Sequence, residues 1–476
     1  MTNQYTVVTP EIAARLEAIC GKNYVIYRDA ERLEPYSHDE IPGKHYRHLP
    51  EIVVRPQSTE EVAAVIKLAN EEHIAVTPRG AGSGLSGGAV PVYGGIVIAT
   101  DRMNKILELD KENMMVVVQP GVIANDINEF LRPHGLLYAG YPMSMETCYI
   151  GGNVAENAGG GKAVKYGVTA RYVLGLEVVL PNGDIMEVGG KLLKDVTGYN
   201  LLPLFTGSEG TLGFFTKIIL KVIPRPKYQF DLLVLFKDSR TAINAVPATM
   251  TESGVTPTSI EYMDAESFQS ACRYLNETLP YEEAGAMLLI SVDGNDPEQM
   301  MDELELVGSF LEKHGAFMVY VADNPANSER IWKIRRNVAE SFSLYFPRQS
   351  GEDVVVPPAC IAEVVEEFQQ LADRYGVTIP CYGHAGDGNL HSRVSAPDSW
   401  SDERWEQTLP SVLKELYELV AKRGGRISGE HGIGCKRLKY MPCVVSETFI
   451  SVLRSIKKAL DPNNIMNPGK IFEISK

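Results

Sequence analysis

The sequence contains no C-x-x-C. Its seven cysteines, Cys20, Cys148, Cys272, Cys360, Cys381, Cys435 and Cys443, are scattered along the chain. This excludes a disulfide framework and a complete iron–sulfur cluster site, and leaves reduced structural thiols. Basic runs are missing too: 46 Lys and Arg face 61 Asp and Glu, a formal net charge of −15, which disfavours nucleic acid and anionic membrane as partners. No uninterrupted apolar run is long enough to cross a bilayer, and M-T-N-Q-Y-T-V-V-T-P-E-I has no basic segment leading into an apolar one. A cytoplasmic location without a membrane span is expected. Internal repeats and low-complexity tracts are also absent.

With 476 residues, 44% of them hydrophobic, the chain exceeds one core and should divide into two or three domains. Ser58-Thr59-Glu60-Glu61 is a capping box that opens an amphipathic helix, with Val62, Val65, Ile66 and Ala69 on one face, followed by the strand I-A-V-T-P. The chain then enters P-R-G-A-G-S-G-L-S-G-G, residues 78–88. Strand-like G-I-V-I-A and M-M-V-V-V-Q-P-G-V precede a second glycine-rich stretch, I-G-G-N-V-A-E-N-A-G-G-G-K, from Ile150 to Lys162. L-G-L-E-V-V-L-P-N-G-D contains a hairpin turn at Asn182-Gly183 and leads to F-T-G-S-E-G-T-L-G.

Pro224-Arg225-Pro226 marks a boundary. From 227 to 425, strands such as F-D-L-L-V-L-F alternate with helices such as P-E-Q-M-M-D-E-L-E-L-V-G-S-F-L-E-K-H, the pattern of an α+β domain whose helices cover a mostly antiparallel sheet. A helix carrying Leu409, Val412, Leu413, Leu416 and Val420 stops at Gly424-Gly425, before R-I-S-G-E-H-G-I-G. A last helix, Phe449 to Leu460, precedes D-P-N-N-I-M-N-P-G-K. The expected domains are residues 1–226 and 227–425, with a C-terminal segment, 426–476.

C-Y-G-H-A-G-D-G-N-L-H, from Cys381 to His391, could be a phosphate cradle, a calcium loop, a histidine-bearing hairpin or half of a metal site. Gly383, Gly386 and Gly388 argue against a helix, and Asp387-Gly388 is a strong hairpin-turn signal, so the two imidazoles should come close together. Asp387 serves the turn, because a calcium loop needs further oxygen ligands at fixed spacing. Gly82-x-Gly84-x-x-Gly87 matches a dinucleotide fingerprint only formally: A-V-P-V-Y-G-G cannot start the helix which that motif requires. Its amides can nevertheless approach a pyrophosphate closely, and Arg79 adds a cation.

The two glycine stretches, G-S-E-G-T-L-G, Y-G-H-A-G-D-G-N-L-H, S-G-E-H-G-I-G and N-P-G-K, in this order over nearly the whole chain, resemble the FAD-linked oxidases of the vanillyl-alcohol-oxidase fold. Within them the sequence is similar to the branch of glycolate oxidase D-subunits, D-lactate dehydrogenases and D-2-hydroxyglutarate dehydrogenases. The resemblance implies a two-subdomain FAD-binding domain, an α+β cap with an antiparallel sheet, and a C-terminal return to the FAD domain. It also implies that Arg79, Gly80, Ala81, Gly82, Ser83, Gly84 and Gly87, with Gly151, Gly152, Asn157 and Gly159, wrap the FAD pyrophosphate. Glu209 then lies near the flavin, and Asn467 belongs to the returning tail. Ser83 stands where relatives with covalent FAD have histidine, so non-covalent FAD is expected. Pro142 and Met143 stand where many relatives have Asp-Pro.

A metal held by His384 and His391 needs a further donor, and Glu430-His431 is the best candidate. Two neutral imidazoles and a carboxylate leave open positions on a divalent ion, as a catalytic site requires. The resemblance implies His384, His391 and Glu430 as ligands and His431 as base, with zinc, iron and manganese equally compatible. A 2-hydroxy acid can chelate such an ion, which lowers its hydroxyl pKa; His431 can then take the proton while hydride leaves C2 for flavin N5. Arg335 aligns with the family's substrate arginine, and its neighbour Arg336 is expected to be solvated or structural. Arg393, two residues after His391, shares its strand face and can also grip the carboxylate. Relatives acting on a second carboxylate have a lysine shortly before a D-V-V-V-P-like strand; here it is missing and Arg348 is the nearest cation.

The expected function is an FAD- and divalent-metal-dependent dehydrogenase that oxidises a D-2-hydroxy acid, D-lactate first and glycolate next, to the 2-oxo acid. The alternatives are a D-2-hydroxyglutarate dehydrogenase, a non-catalytic electron-relay flavoprotein subunit, and alkyl-ether-lipid synthesis on the same fold. With neither a nicotinamide site nor a cluster in the chain, the expected acceptor is an electron-transferring flavoprotein or iron–sulfur and flavin subunits.

Overall fold

The computed structural model describes residues 5–277, 283–322 and 324–473. It divides into two compact units: residues 1–159, 168–225 and 430–476 form the first, and residues 160–167 and 226–429 the second. The chain thus leaves the first unit after Gly159, returns at Val168, leaves again after Arg225 and re-enters it at Glu430.

The first unit holds two main sheets. One has Val25–Tyr27 antiparallel to Ile52–Val54, which runs parallel to Ile96–Ala99 and so to Val76–Arg79. The runs I-V-V and I-V-I-A are buried throughout, as parallel strands covered on both faces must be. The helix Thr59–Glu71 packs Val62, Val65, Ile66 and Ala69 at 0% exposure into this core. Each of the larger three contributes roughly 1.5–3 kcal/mol by burial. Ser58 caps it, accepting from Glu61 N at 3.3 Å, and Glu61 reaches back to Gln57 N rather than to Ser58 N. The other sheet is antiparallel, in the order Ile106–Asp110, Met115–Val118, Phe214–Lys221, Val173–Val179, Ile185–Gly189. Its last two strands form the hairpin expected at Asn182-Gly183, with Gly183 at φ +88°.

The C-terminal tail returns to the first unit as expected. Val76 N donates to Ile465 O at 2.8 Å and Asn467 N to Val76 O at 2.7 Å, which places the tail beside the strand that feeds the first glycine loop. Lys457, buried in the last helix, Glu447–Leu460, fixes it further: Nζ bonds Asp461, Thr211 O and Met466 O.

The second unit is built on a seven-stranded sheet in the order Ala316–Ala322, Tyr228–Phe236, Ala286–Gly294, Ser259–Asp264, Cys381–His384, Asn389–Ser395, Gln349–Val355, with every pairing antiparallel. Helices Ser239–Glu252, Pro297–Lys313, Ile361–Tyr375 and Asp402–Lys422 belong to the same unit. The last of these buries Val412, Leu413, Leu416 and Val420.

The second glycine stretch differs from a simple loop. Ile150–Glu156 is helical, with Gly151 and Gly152 inside it. Close packing is the reason: a Cβ on Gly151 would lie 2.6 Å from the side chain of Pro120 and 3.0 Å from its carbonyl oxygen. The contact outweighs the roughly 1 kcal/mol that glycine costs in a helix. Among the described residues, no helix is long and apolar enough to cross a membrane.

Candidate functional site

In the first unit the two glycine-rich segments meet. Gly80 follows the strand Val76–Arg79, and a Cβ on it would lie 3.7 Å from Gly152 N; no atom lies within 4 Å of a Cβ on Gly152 itself. The loop containing Gly80, Ala81, Gly82, Ser83, Gly84 and Gly87 has no helix. Gly82 and Gly87 both sit at φ +78°, which favours glycine. Arg79 is buried beneath this loop, donating from Nη1 to His38 O at 2.7 Å and from Nη2 to Pro35 O at 2.9 Å. Asn157 caps the Ile150–Glu156 helix at φ 53° and accepts from Ala170 N at 2.9 Å.

Asn467 and Glu209 join distant segments. Nδ2 of Asn467 donates to Gly88 O at 2.9 Å and Glu209 O at 2.7 Å. Glu209, at φ 51°, accepts from Ile433 N at 2.7 Å and Gly434 N at 2.6 Å, anchoring the turn just after His431. Glu156, which the sequence did not single out, is buried beside it: Ser86 Oγ donates to Oε1 at 3.3 Å, and a Cβ on Gly432 would fall 1.9 Å from Oε2. Burial, then the charge of Glu209, push the Glu156 carboxyl well up. Glu430 Oε2 lies 3.3 Å from a Cβ position on Gly159, and Glu430 Oε1 lies 3.7 Å from His431 Nε2. Adjacent glycine backbones, with open space over Gly152, fit a dinucleotide pyrophosphate.

In the second unit, Cys381–His384 and Asn389–Ser395 form the expected hairpin, turning through 385–388 with Gly388 at φ +87°. His384 and His391 are buried, and their ring centroids lie 5.3 Å apart. Two carboxylates absent from the sequence-based site accompany them. Glu261 Oε1 lies 2.6 Å from His384 Nδ1, and its Oε2 accepts from Arg335 Nε at 2.7 Å. Burial alone would raise the Glu261 carboxyl pKa, but His384 and Arg335 outweigh it and the net shift is downward. Asp353 Oδ1 lies 3.6 Å from His391 Nδ1 and accepts from Asn389 Nδ2 at 2.7 Å. Its Oδ2 accepts from Ser428 Oγ at 2.8 Å and Gly429 N at 3.0 Å, at the point where the chain leaves this unit.

Arg335 is buried at 5% exposure on the helix Pro325–Arg336, and its Nη2 has no hydrogen-bond partner among the described residues. Its guanidinium carbon stands 5.1 Å from the ring centroid of Tyr382, whose hydroxyl accepts from Arg393 Nε at 3.2 Å. Tyr382 thus touches both arginines. Arg336 pairs on the surface with Glu329, and Arg348 with Asp402 at 2.7 Å. One signal for Glu261 and Asp353 was present in the sequence: each is an acid that lies next to apolar residues in a strand-like run, I-E-Y-M or D-V-V-V, where burial demands a partner.

Residues 50–189 match the FAD binding domain family and residues 225–471 match the family of FAD linked oxidases, C-terminal domain. A D-lactate dehydrogenase of Anaerostipes hadrus is 39% identical over 98% of this chain and 98% of its own length. The chain belongs to the FAD-linked oxidases. A glycolate oxidase subunit GlcD of Bacillus subtilis (strain 168) is 36% identical to this oxidase over 98% of the chain and 97% of its own length. The solved 4-ethylphenol oxidase of Gulosibacter chungangensis superposes on it with a TM-score of 0.77 over 98% of each chain at 19% identity, which establishes the vanillyl-alcohol-oxidase fold. The protein is an FAD-linked oxidoreductase.

Proposed function

We propose that this oxidase is a D-2-hydroxy-acid dehydrogenase, acting on D-lactate first and glycolate next, with non-covalent FAD and a divalent cation. The observation that carries this is the pairing, within one hairpin and its neighbours, of two buried imidazoles with a buried arginine that keeps one guanidinium nitrogen for a carboxylate. The names of the two full-length relatives supply the substrate class.

His384, His391 and Glu430 would hold the cation, and Arg79, Gly80, Ala81, Gly82, Ser83, Gly84, Gly87, Gly151, Gly152, Asn157, Gly159, Glu209 and Asn467 would surround the FAD. Bound there, the two groups supply a hydride acceptor and a Lewis acid that eases loss of the hydroxyl proton. Arg335 binds the substrate carboxylate, with Arg393 beside it, and so fixes which face of C2 is presented. His431 accepts the hydroxyl proton as C2 gives up its hydride, so one proton and one hydride leave and the 2-oxo acid remains. The two electrons then pass to a protein acceptor, an electron-transferring flavoprotein or iron–sulfur and flavin subunits.

The test is anaerobic stopped-flow reduction of the FAD-loaded protein by D-lactate, comparing wild type with His431→Ala. Loss of a general base should slow bleaching about 10²–10⁴-fold while FAD stays bound. An unchanged rate would remove His431 from the reaction.

A further inference from the structure

Glu261 lies on Ser259–Asp264, a strand whose six residues are all buried, and a charge there is costly unless it is fully paired. Its two oxygens are divided: Oε1 faces His384 Nδ1 at 2.6 Å and Oε2 takes Arg335 Nε at 2.7 Å. An ionised carboxylate only accepts, so His384 donates Nδ1–H and presents Nε2 as the nitrogen able to ligate a cation. The same carboxylate holds the guanidinium by Nε, and Nη2, on that edge, is buried and without a hydrogen-bond partner among the described residues. Gly161, from the second glycine-rich stretch, closes the arrangement. A Cβ there would lie 2.7 Å from Glu261 Oε1 and 3.6 Å from His384 Nδ1, so only glycine lets the backbone pass against this bond.

Resting on the proposed function, we infer that Glu261 is a positioning residue that orients the cation ligand His384 and the carboxylate anchor Arg335 together, so that binding of a divalent cation and of the substrate carboxylate are energetically linked through this one side chain. Each partner limits how far Glu261 can move to satisfy the other. Ordering His384 on a cation therefore orders Arg335, and by reciprocity a bound carboxylate tightens the cation. Partners that orient a ligating histidine in this way typically change metal affinity 10–100-fold when removed.

The experiment titrates Mn²⁺ into the FAD-loaded, metal-stripped protein, with and without pyruvate as a carboxylate that cannot reduce the flavin. Wild type should bind Mn²⁺ more tightly with pyruvate present. Glu261→Gln, which keeps the shape but cannot accept from both donors as a charge, should bind Mn²⁺ about 10–100-fold more weakly and lose the pyruvate effect, with FAD content unchanged. Gly161→Ala, which pushes a methyl onto the carboxylate and leaves His384 and Arg335 in place, should shift both quantities in the same direction and stands in if Glu261→Gln fails to fold. Wild-type affinity and an intact pyruvate effect in either folded variant overturn the inference. If wild type itself binds no Mn²⁺, the metal-dependent function falls, and the ¹⁵N signal of the His384 imidazole then decides on Glu261: the Nδ1–H form should be lost in Glu261→Gln, and its persistence overturns the positioning role.

Discussion

Nε of Arg335 donates to Glu261 Oε2 at 2.7 Å, while Nη2 of the same guanidinium is buried without a hydrogen-bond partner among the described residues. Lysine would keep the charge but neither the fork nor the bond to Glu261. Arg335→Lys should retain FAD and lose about 1.5–3 kcal/mol of carboxylate binding, read as a raised KM for the 2-hydroxy acid. Steady-state kinetics with a dye acceptor checks this, and an unaltered KM contradicts it.

Glu156 makes a prediction about pH. Its folded-state carboxyl is raised above the ordinary glutamate value of 4.5, by burial and then by Glu209. As pH rises past 4.5 the unfolded chain releases this proton first, so the native state binds more protons and its stability falls through the window up to the folded value. Glu156→Gln cannot titrate and should flatten that loss. Thermal melts of both proteins at about pH 5 and pH 8 measure it; parallel slopes would show that Glu156 is not the group involved.

Gly434 tests the joint between the first glycine loop and the turn after His431. Its φ is +53°, and a Cβ would fall 1.9 Å from the backbone oxygen of Ser86 while its amide is held by Glu209 at 2.6 Å. Gly434→Ala should cost about 1–3 kcal/mol through strain and overpacking, and should lower the flavin-to-protein ratio because Ser86 belongs to that loop. A wild-type melting temperature with full flavin content would argue that the joint is loose.

The candidate ligands are open to a direct assay. Metal analysis of purified His384→Ala and Glu430→Ala should show divalent metal falling well below the wild-type stoichiometry, because each removes a donor from a small set. Unchanged stoichiometry in both would exclude this ligand set.

Signals confined to a few neighbouring residues were legible in the sequence. Asp387-Gly388 announced the hairpin that brings His384 to His391, Ser58 announced a helix start, and Asn182-Gly183 a second hairpin. The helix holding Gly151 and Gly152 was not legible in this way: the reason for Gly151 is Pro120, distant in sequence and invisible to a local pattern. Glu261 and Asp353 escaped for the same reason. Glu261 meets His384 across 123 residues of chain, and Asp353 meets Ser428 across 75. A buried acid in a strand must have a partner, and only the fold says which one.

If this FAD-linked oxidase removes hydride from a D-2-hydroxy acid, the acid must reduce its flavin. The FAD-loaded, metal-supplemented wild-type protein is mixed anaerobically with D-lactate, L-lactate, glycolate and D-2-hydroxyglutarate in turn, and flavin absorbance is followed. Rapid bleaching by D-lactate, slower bleaching by glycolate and none by L-lactate is the predicted result; a flavin that stays oxidised with all four would contradict it.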